Sequence, residues 1–321
     1  MDGIYEKIGK WIPSKSDKVN IHSMLLNLYT YSLGIDFSPA LNQFRNRIAK
    51  IDYDFKDNAT SSGAICFFGS VIMSLLQLGY INNIDELFTF SSCYILLDHY
   101  IDDDTISSKE KYITINKIND FVETRDTTID SPLIQAVADR YVNMVTKIPS
   151  SEQHLKNLFN VETKTMLMQK SDKLSREEYL HICEWKGALT CVGIQALLEL
   201  EITEQEHILG GLIQLVDDVL DIEDDLALGI NTIATHDYKT IGCLDDLLIY
   251  TINKTDRMNR KYNFFKPILY LGMVLAVHTN RDKYSLEMIE IMDNFIHYTP
   301  GTTKDGIMNW FQHKIEPHMN K

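Results

Sequence analysis

The sequence predicts an all-α protein folded as one helical-bundle domain over residues 1–321, and three observations carry that expectation. Helix breakers are scarce: 15 Gly and 7 Pro in 321 residues, both below average usage. No proline falls between Pro39 and Pro132 or between Pro149 and Pro267, and stretches without breakers favour long helices. Apolar residues recur at spacings of three and four along most of the chain, while strand-like alternation is rare. The length can bury a full core, and no repeat, low-complexity linker or shift in composition separates two halves.

The elements follow from that spacing in order. Helical periodicity runs over Ile21 to Tyr31, Ala64 to Leu78, Ile84 to Tyr100, Ile134 to Val145, Leu155 to Gln169 and Arg176 to Leu200. It continues over Gln205 to Leu226, Leu244 to Asn253, Lys266 to Val277 and Ser285 to Tyr298. Breaks are expected at Gly79 to Asn83, the polar run Asp102 to Asp126, Lys147 to Ser151, Gly229 to Thr240 and Thr299 to Gly306. The stretch Asn58 to Ile84 carries no charge, yet Ser61, Ser62, Ser70, Ser74, Gln77, Asn82 and Asn83 make it too polar for a lipid-facing helix; it reads as a helix buried on most faces.

Charge narrows the function classes. With 45 acidic residues against 31 Lys plus Arg, the net charge is −14. Such a field repels phosphate backbones and anionic lipid, which argues against nucleic-acid binding or a polybasic membrane anchor. The five cysteines are odd in number and include no CxxC pair, so neither a disulfide framework nor a zinc ribbon is expected. Met1 to Lys10 places Asp2 and Glu6 among its lysines and has no apolar run, so no secretory signal is expected and the cytoplasm is the default location.

Two acidic clusters stand out. Asp98, Asp102, Asp103 and Asp104 crowd the end of an otherwise apolar helix, with Asp98 and Asp102 four apart and so on one face. Carboxylates at a helix C-terminus face the wrong end of its dipole, so a cation should offset them. Taken alone, this cluster reads as a solvated acidic helix end running into a polar loop. The second cluster places Asp217, Asp221 and Asp225 at successive four-residue steps among Leu212, Ile213, Val216, Val219, Leu220 and Ile222. A helix packed on its other faces brings that stripe to a cavity, where three carboxylates stay charged only with a counter-ion. Hard oxygen donors that leave positions open for water and phosphate suit Mg²⁺; the alternative is an acidic surface stripe.

Two aspartate-rich helices in an all-helical chain of this size resemble the class I isoprenoid synthase superfamily, which holds the trans-prenyl diphosphate synthases and the class I terpene synthases. Asp98-His99-Tyr100-Ile101-Asp102-Asp103 looks like the first motif, DDxxD and a following acid, with His99 in place of the second Asp. Gln214-Leu215-Val216-Asp217-Asp218-Val219-Leu220-Asp221 is similar to the second motif, FQxxDDxLD, without its Phe. The stretch Glu178 to Leu189 resembles the helix that carries a diphosphate-contacting lysine, here Lys186, followed by Gly187 where Thr is usual. The resemblance covers about Asp85 to Gly229 and implies a bundle around a central cavity. Three Mg²⁺ ions, or Mn²⁺, would be held by Asp98, Asp102, Asp217, Asp221 and Asp225, and would bind a small-molecule prenyl diphosphate. Metals and Lys186 would stabilise the charge growing on the leaving pyrophosphate; on its residues alone Lys186 also fits a surface lysine. The family's fold also admits a homodimer.

Within the superfamily the sequence favours cyclisation over chain elongation. Elongation needs a second diphosphate site built from a GKR stretch before the first motif and an RRG after it. The corresponding stretches read Thr60-Ser61-Ser62-Gly63-Ala64-Ile65 and Thr105-Ile106-Ser107-Ser108-Lys109-Glu110-Lys111-Tyr112, with almost no charge for an anionic co-substrate. The second cluster also fits the terpene synthase pattern (N/D)Dxx(S/T)xxxE, with Asp221 and Asp225 as oxygen-bearing replacements and Gly229 in register. The C-terminal Arg-Tyr pair is matched by His297-Tyr298, with Arg281 and Tyr284 as a rival pair; Tyr298 and Arg281 are therefore candidates to close on the diphosphate. Tyr94, Phe90, Phe68 and Trp185 read first as ordinary core packing and second as candidate walls of a cation-stabilising pocket. The expected activity is conversion of farnesyl diphosphate to a sesquiterpene hydrocarbon or alcohol. The alternatives are a short-chain prenyl diphosphate synthase and a catalytically silent partner subunit, the latter suggested by His99.

Overall fold

The computed structural model describes residues 3–11, 66–67, 69–74, 77–103, 105–124, 129–263 and 265–295, excepting the side chains of residues 98, 99, 102, 119 and 123. Among the described residues the protein is all-helical, with no strand. The helices are α1 (Ile4–Gly9), α2 (Ile84–Asp102), α3 (Ser108–Thr124), α4 (Pro132–Lys147), α5 (Glu152–Gln169) and α6 (Arg176–Leu197). They continue as α7 (Glu204–Leu220), α8 (Ile222–Leu228), α9 (Ile233–Ile241), α10 (Asp245–Asp256), α11 (Phe265–Thr279) and α12 (Leu286–Met292). Residues 66–67, 69–74 and 77–78 are helical as well. No helix among the described residues is long and apolar enough to cross a membrane. The expected helix Ile21 to Tyr31 lies outside the described residues.

The chain divides into two compact units whose segments alternate along the sequence. One comprises Met1–Asp36, Gln169–Ala188 and His207–His313; the other comprises Phe37–Met168, Leu189–Glu206 and Lys314–Lys321.

In the second unit, α2 and α3 both pack on α4. The helix α4 starts where Ser131 accepts the Ile134 N–H ahead of Pro132 at the first helical position, and it buries Ile134, Val137, Ala138, Tyr141 and Met144. Polar residues of the uncharged stretch are absorbed by the backbone: Ser70 and Ser74 are fully buried, Ser70 donating to the Cys66 carbonyl one turn back and Ser74 to the Tyr80 carbonyl. Helix α3 corrects the expectation of a break over Asp102 to Asp126. Among the described side chains it buries a narrow stripe, Lys111, Ile115, Ile118 and Val122, about one residue per turn, too thin for periodicity in so polar a segment to reveal.

In the first unit, α1 packs on α10 and α12, α10 on α11, α11 on α12, and α8 on α9. Helix α9 corrects the expected break over Gly229 to Thr240; it begins at a capping box in which Thr232 and Thr235 each satisfy the other's backbone N–H. The expected continuous helix Gln205 to Leu226 is instead two helices, interrupted at Asp221 with φ −95° and ψ 7°.

Candidate active site

Helices α6 and α7 form an antiparallel pair, and their closest approach is glycine on glycine. A Cβ added at Gly187 would lie 2.1 Å from the Gly210 carbonyl oxygen and 2.8 Å from Gln214 Cβ. One at Gly210 would lie 2.0 Å from the Gly187 oxygen. Gly211 in turn rests on Glu184, whose Cα would be 3.3 Å from a Cβ there. No side chain fits between these backbones.

That contact sets what meets Asp218. The Cys183 thiol hydrogen-bonds to its carboxylate, and Gln214 Nε2 donates to Asp218 Oδ1 at 3.1 Å and to Asp217 Oδ2 at 3.2 Å. Asp218 is 5% exposed. Burial pushes its carboxyl up to about 6, aided by the nearby Asp221 and opposed by Gln214, Cys183 and the charge of Lys186. Burial and the same aspartate drive the Cys183 thiol well above its ordinary range. Glu184 is engaged from α10, accepting the Tyr250 hydroxyl at 2.6 Å and Lys254 Nζ at 2.6 Å.

The stripe of Asp217, Asp221 and Asp225 survives the interruption. The Asp221 N–H reaches the Asp217 carbonyl at 2.9 Å, and the Asp225 N–H reaches the Asp221 carbonyl at 2.9 Å, so one-turn spacing is kept across both helices. Asp217 is exposed, and Asp221 and Asp225 are half-buried. Burial first, then Asp218 and Asp221, push the Asp225 carboxyl up to about 8 against a hydrogen bond from Thr232. Gly229 ends α8 in the left-handed region at φ 66°, which lets the Ile230 N–H return to the Asp225 carbonyl at 2.9 Å. Among the described residues, no group of three or more His, Cys, Asp or Glu side chains is gathered as a metal-holding cluster.

Asp98 and Asp102 occupy the last turns of α2, one turn apart; their side chains lie outside the described residues, as do Phe68 and Tyr298. Around that helix end, Asp103 Oδ1 accepts the Thr105 N–H at 2.9 Å and its hydroxyl at 2.6 Å. Lys111, 4% exposed, donates from Nζ to the Ile101 carbonyl. This buried ammonium meets a carbonyl in the last turn of α2, where a cation complements the helix dipole.

The remaining candidates fall into packed or paired positions. Phe90 is 3% exposed, with its ring 3.4 Å from where a Gly193 Cβ would stand, so it fills the core. Tyr94 is half-buried, its ring 6.5 Å from that of Phe90. Trp185 is half-buried and stacks on His181 at 5.8 Å. Arg281 grips Asp293 in a two-point pair, at 2.7 and 3.0 Å. Lys186 is half-buried beside Asp218.

Sequence reasoning missed Asp218 as the inward-facing member of its pair, along with Cys183 and Thr232. The only sequence signal was the Asp217-Asp218 doublet itself. No family model matches the chain, and no curated protein matches it.

Proposed function

We propose that this chain is a divalent-metal-dependent class I terpene synthase, ionising a linear prenyl diphosphate, farnesyl diphosphate by preference, and cyclising the resulting cation with release of pyrophosphate. The observation that carries the reading is the row of carboxylates Asp217, Asp221 and Asp225, kept at one-turn spacing across α7 and α8 by the Asp221 and Asp225 N–H bonds. Burial raises the carboxyls of Asp218 and Asp225 to about 6 and about 8, because it disfavours their charged form. An all-oxygen, partly buried acidic set of this kind suits a hard divalent ion.

Asp217, Asp221 and Asp225 would hold Mg²⁺, and Asp98 and Asp102 are the other carboxylates proposed as ligands; a bound ion would supply electrostatic stabilisation to a departing pyrophosphate. Lys186, whose charge bears on Asp218, would add positive charge to stabilise the leaving diphosphate. Gln214 bridges Asp217 and Asp218 and so fixes both carboxylates. Thr232 restrains Asp225 from α9. An isoprenoid-synthase fold with a dry pocket belongs to the same proposal; exclusion of water protects an allylic cation from quenching.

Elongation is disfavoured because the stretches expected to bind isopentenyl diphosphate lack paired basic residues, and Lys111, the one lysine there that is buried, is committed to the Ile101 carbonyl. The test is an incubation with farnesyl diphosphate and Mg²⁺, with and without isopentenyl diphosphate and with excess EDTA. Gas chromatography should find a hydrocarbon or alcohol, with equimolar pyrophosphate, abolished by EDTA and indifferent to isopentenyl diphosphate. Longer prenyl diphosphates formed only with both substrates would replace this reading by a prenyl synthase. Inertness of folded protein towards C10, C15 and C20 substrates would replace it by a silent partner subunit.

A further inference from the structure

We infer that the turn from Asn280 to Lys283 is a clamp on the break at Asp221, making Asn280 and Lys283 positioning residues for the aspartates on either side of it; this rests on the metal-dependent reading above. An interrupted helix opens part of its carbonyl ladder to other donors and can bend at the break, even where single one-turn bonds persist across it as at Asp221. Here both sides of the interruption are held from one place. Helix α11 lies against α7 so closely that a Cβ at Gly272 would stand 2.5 Å from Val216 Cγ1. The turn at the end of α11 therefore arrives at the level of the break.

Asn280, 2% exposed, donates from Nδ2 to the Val219 carbonyl at 3.2 Å, two residues before Asp221. Lys283, 3% exposed, donates from Nζ to Glu223, two residues after Asp221. The same ammonium meets Asp282 at 3.0 Å and lies 4.8 Å from the centre of the Tyr238 ring. The backbone of the turn is tied in turn, since the Lys283 carbonyl accepts the Leu244 N–H at 2.9 Å. Burying an ammonium is costly unless it is paired and hydrogen-bonded. Lys283 meets that condition with its main acceptor on α8. The two grips bracket Asp221, so the angle between α7 and α8, and with it the approach of Asp217, Asp221 and Asp225 to one another, depends on a turn that carries none of the ligands.

The experiment measures binding of Mn²⁺ alone by electron paramagnetic resonance, without substrate, alongside thermal unfolding, in the full chain. Lys283→Met removes a positive charge near an acidic site, which by electrostatics alone would tighten cation binding. The clamp requires the opposite, a weakening of about tenfold or more as for other groups that orient metal ligands, with Lys283→Arg restoring binding towards wild type. Asn280→Ala changes no charge, should weaken binding in the same sense, and decides the matter if Lys283→Met fails to fold. Unchanged or tighter Mn²⁺ binding in folded variants, beside a wild type that binds, overturns the clamp alone. A wild type that binds no Mn²⁺ overturns the metal-dependent reading and the clamp with it.

Discussion

Gly187 and Gly210 press backbone on backbone, each leaving about 2 Å between the other's carbonyl oxygen and the place a Cβ would take. Lys186 is the residue next to one of them, and Cys183 lies one turn back, so the register that sets Lys186 and Cys183 against Asp218 is a consequence of two absent side chains.

Replacing either glycine should therefore be severe. Gly187→Ala and Gly210→Ala are each expected to destabilise by about 3 kcal/mol or more, at or beyond the upper end of ordinary overpacking, because backbone and not a flexible side chain must yield. Gly69, with no described residue within 4 Å of its missing Cβ, is the control: Gly69→Ala should be neutral or stabilising by roughly 0.5–1 kcal/mol. Urea midpoints at constant slope would measure both, and equal effects at the two kinds of site would refute the close crossing.

Asp98→Ala, Asp217→Ala and Asp221→Ala should each lower turnover on the order of 10² or more, since water replaces a lost carboxylate ligand only in part. Asp104→Ala and Asp224→Ala, off the shared faces, should be mild. Steady-state kinetics at saturating Mg²⁺ would check this, and a flat profile across the five would break the link between helical face and function.

The Asp225 carboxyl, pushed up to about 8 in the folded chain against about 3.9 when unfolded, makes a signed prediction. Between those values the unfolded chain has released the proton and the folded chain retains it, so this group costs stability increasingly as pH rises from about 4 to about 8. In metal-free protein, Asp225→Asn should thus melt at the same temperature as wild type near pH 4, and progressively above it towards pH 8. Saturating Mg²⁺ should reduce or reverse that gap at pH 8. Calorimetry across pH, with and without the ion, follows it; a constant offset would contradict the assignment.

Lys186 and Arg281 should separate in kinetics. Arg281 is occupied by Asp293 in a pair 43% and 36% exposed, worth about 0–1 kcal/mol, whereas the Lys186 charge bears on buried Asp218. Lys186→Gln is expected to reduce kcat by at least about tenfold as a lost transition-state contact, and Arg281→Gln by far less. A larger kcat loss at Arg281 would restore it as a group that closes on the diphosphate.

What the sequence could reveal follows from which interactions are local. The start of α2 at Ile84 and of α6 at Arg176 came directly from apolar spacing. Helix α3 stayed hidden because Ile115, Ile118 and Val122 form a stripe one residue wide, and α9 because its capping box uses Thr235 where Glu or Gln is the recognisable partner. The break at Asp221 is invisible to periodicity, since Val219 and Ile222 continue the apolar pattern across it. Within the acidic doublet, the burial of Asp218 while Asp217 stays exposed is decided by the glycine contact with α6, and no spacing rule inside α7 reports it.

The burial of Lys111 has a further consequence for chemical labelling. Amine-acylating reagents need an accessible, unprotonated lysine, and Lys111 offers neither solvent contact nor an idle ammonium while it is seated under the Ile101 carbonyl. Lys109, two residues earlier, stands exposed. Mass spectrometry after brief acylation should therefore modify Lys109 quickly and Lys111 slowly, and the Lys111 rate becomes a clock for the parting of α3 from the acidic end of α2.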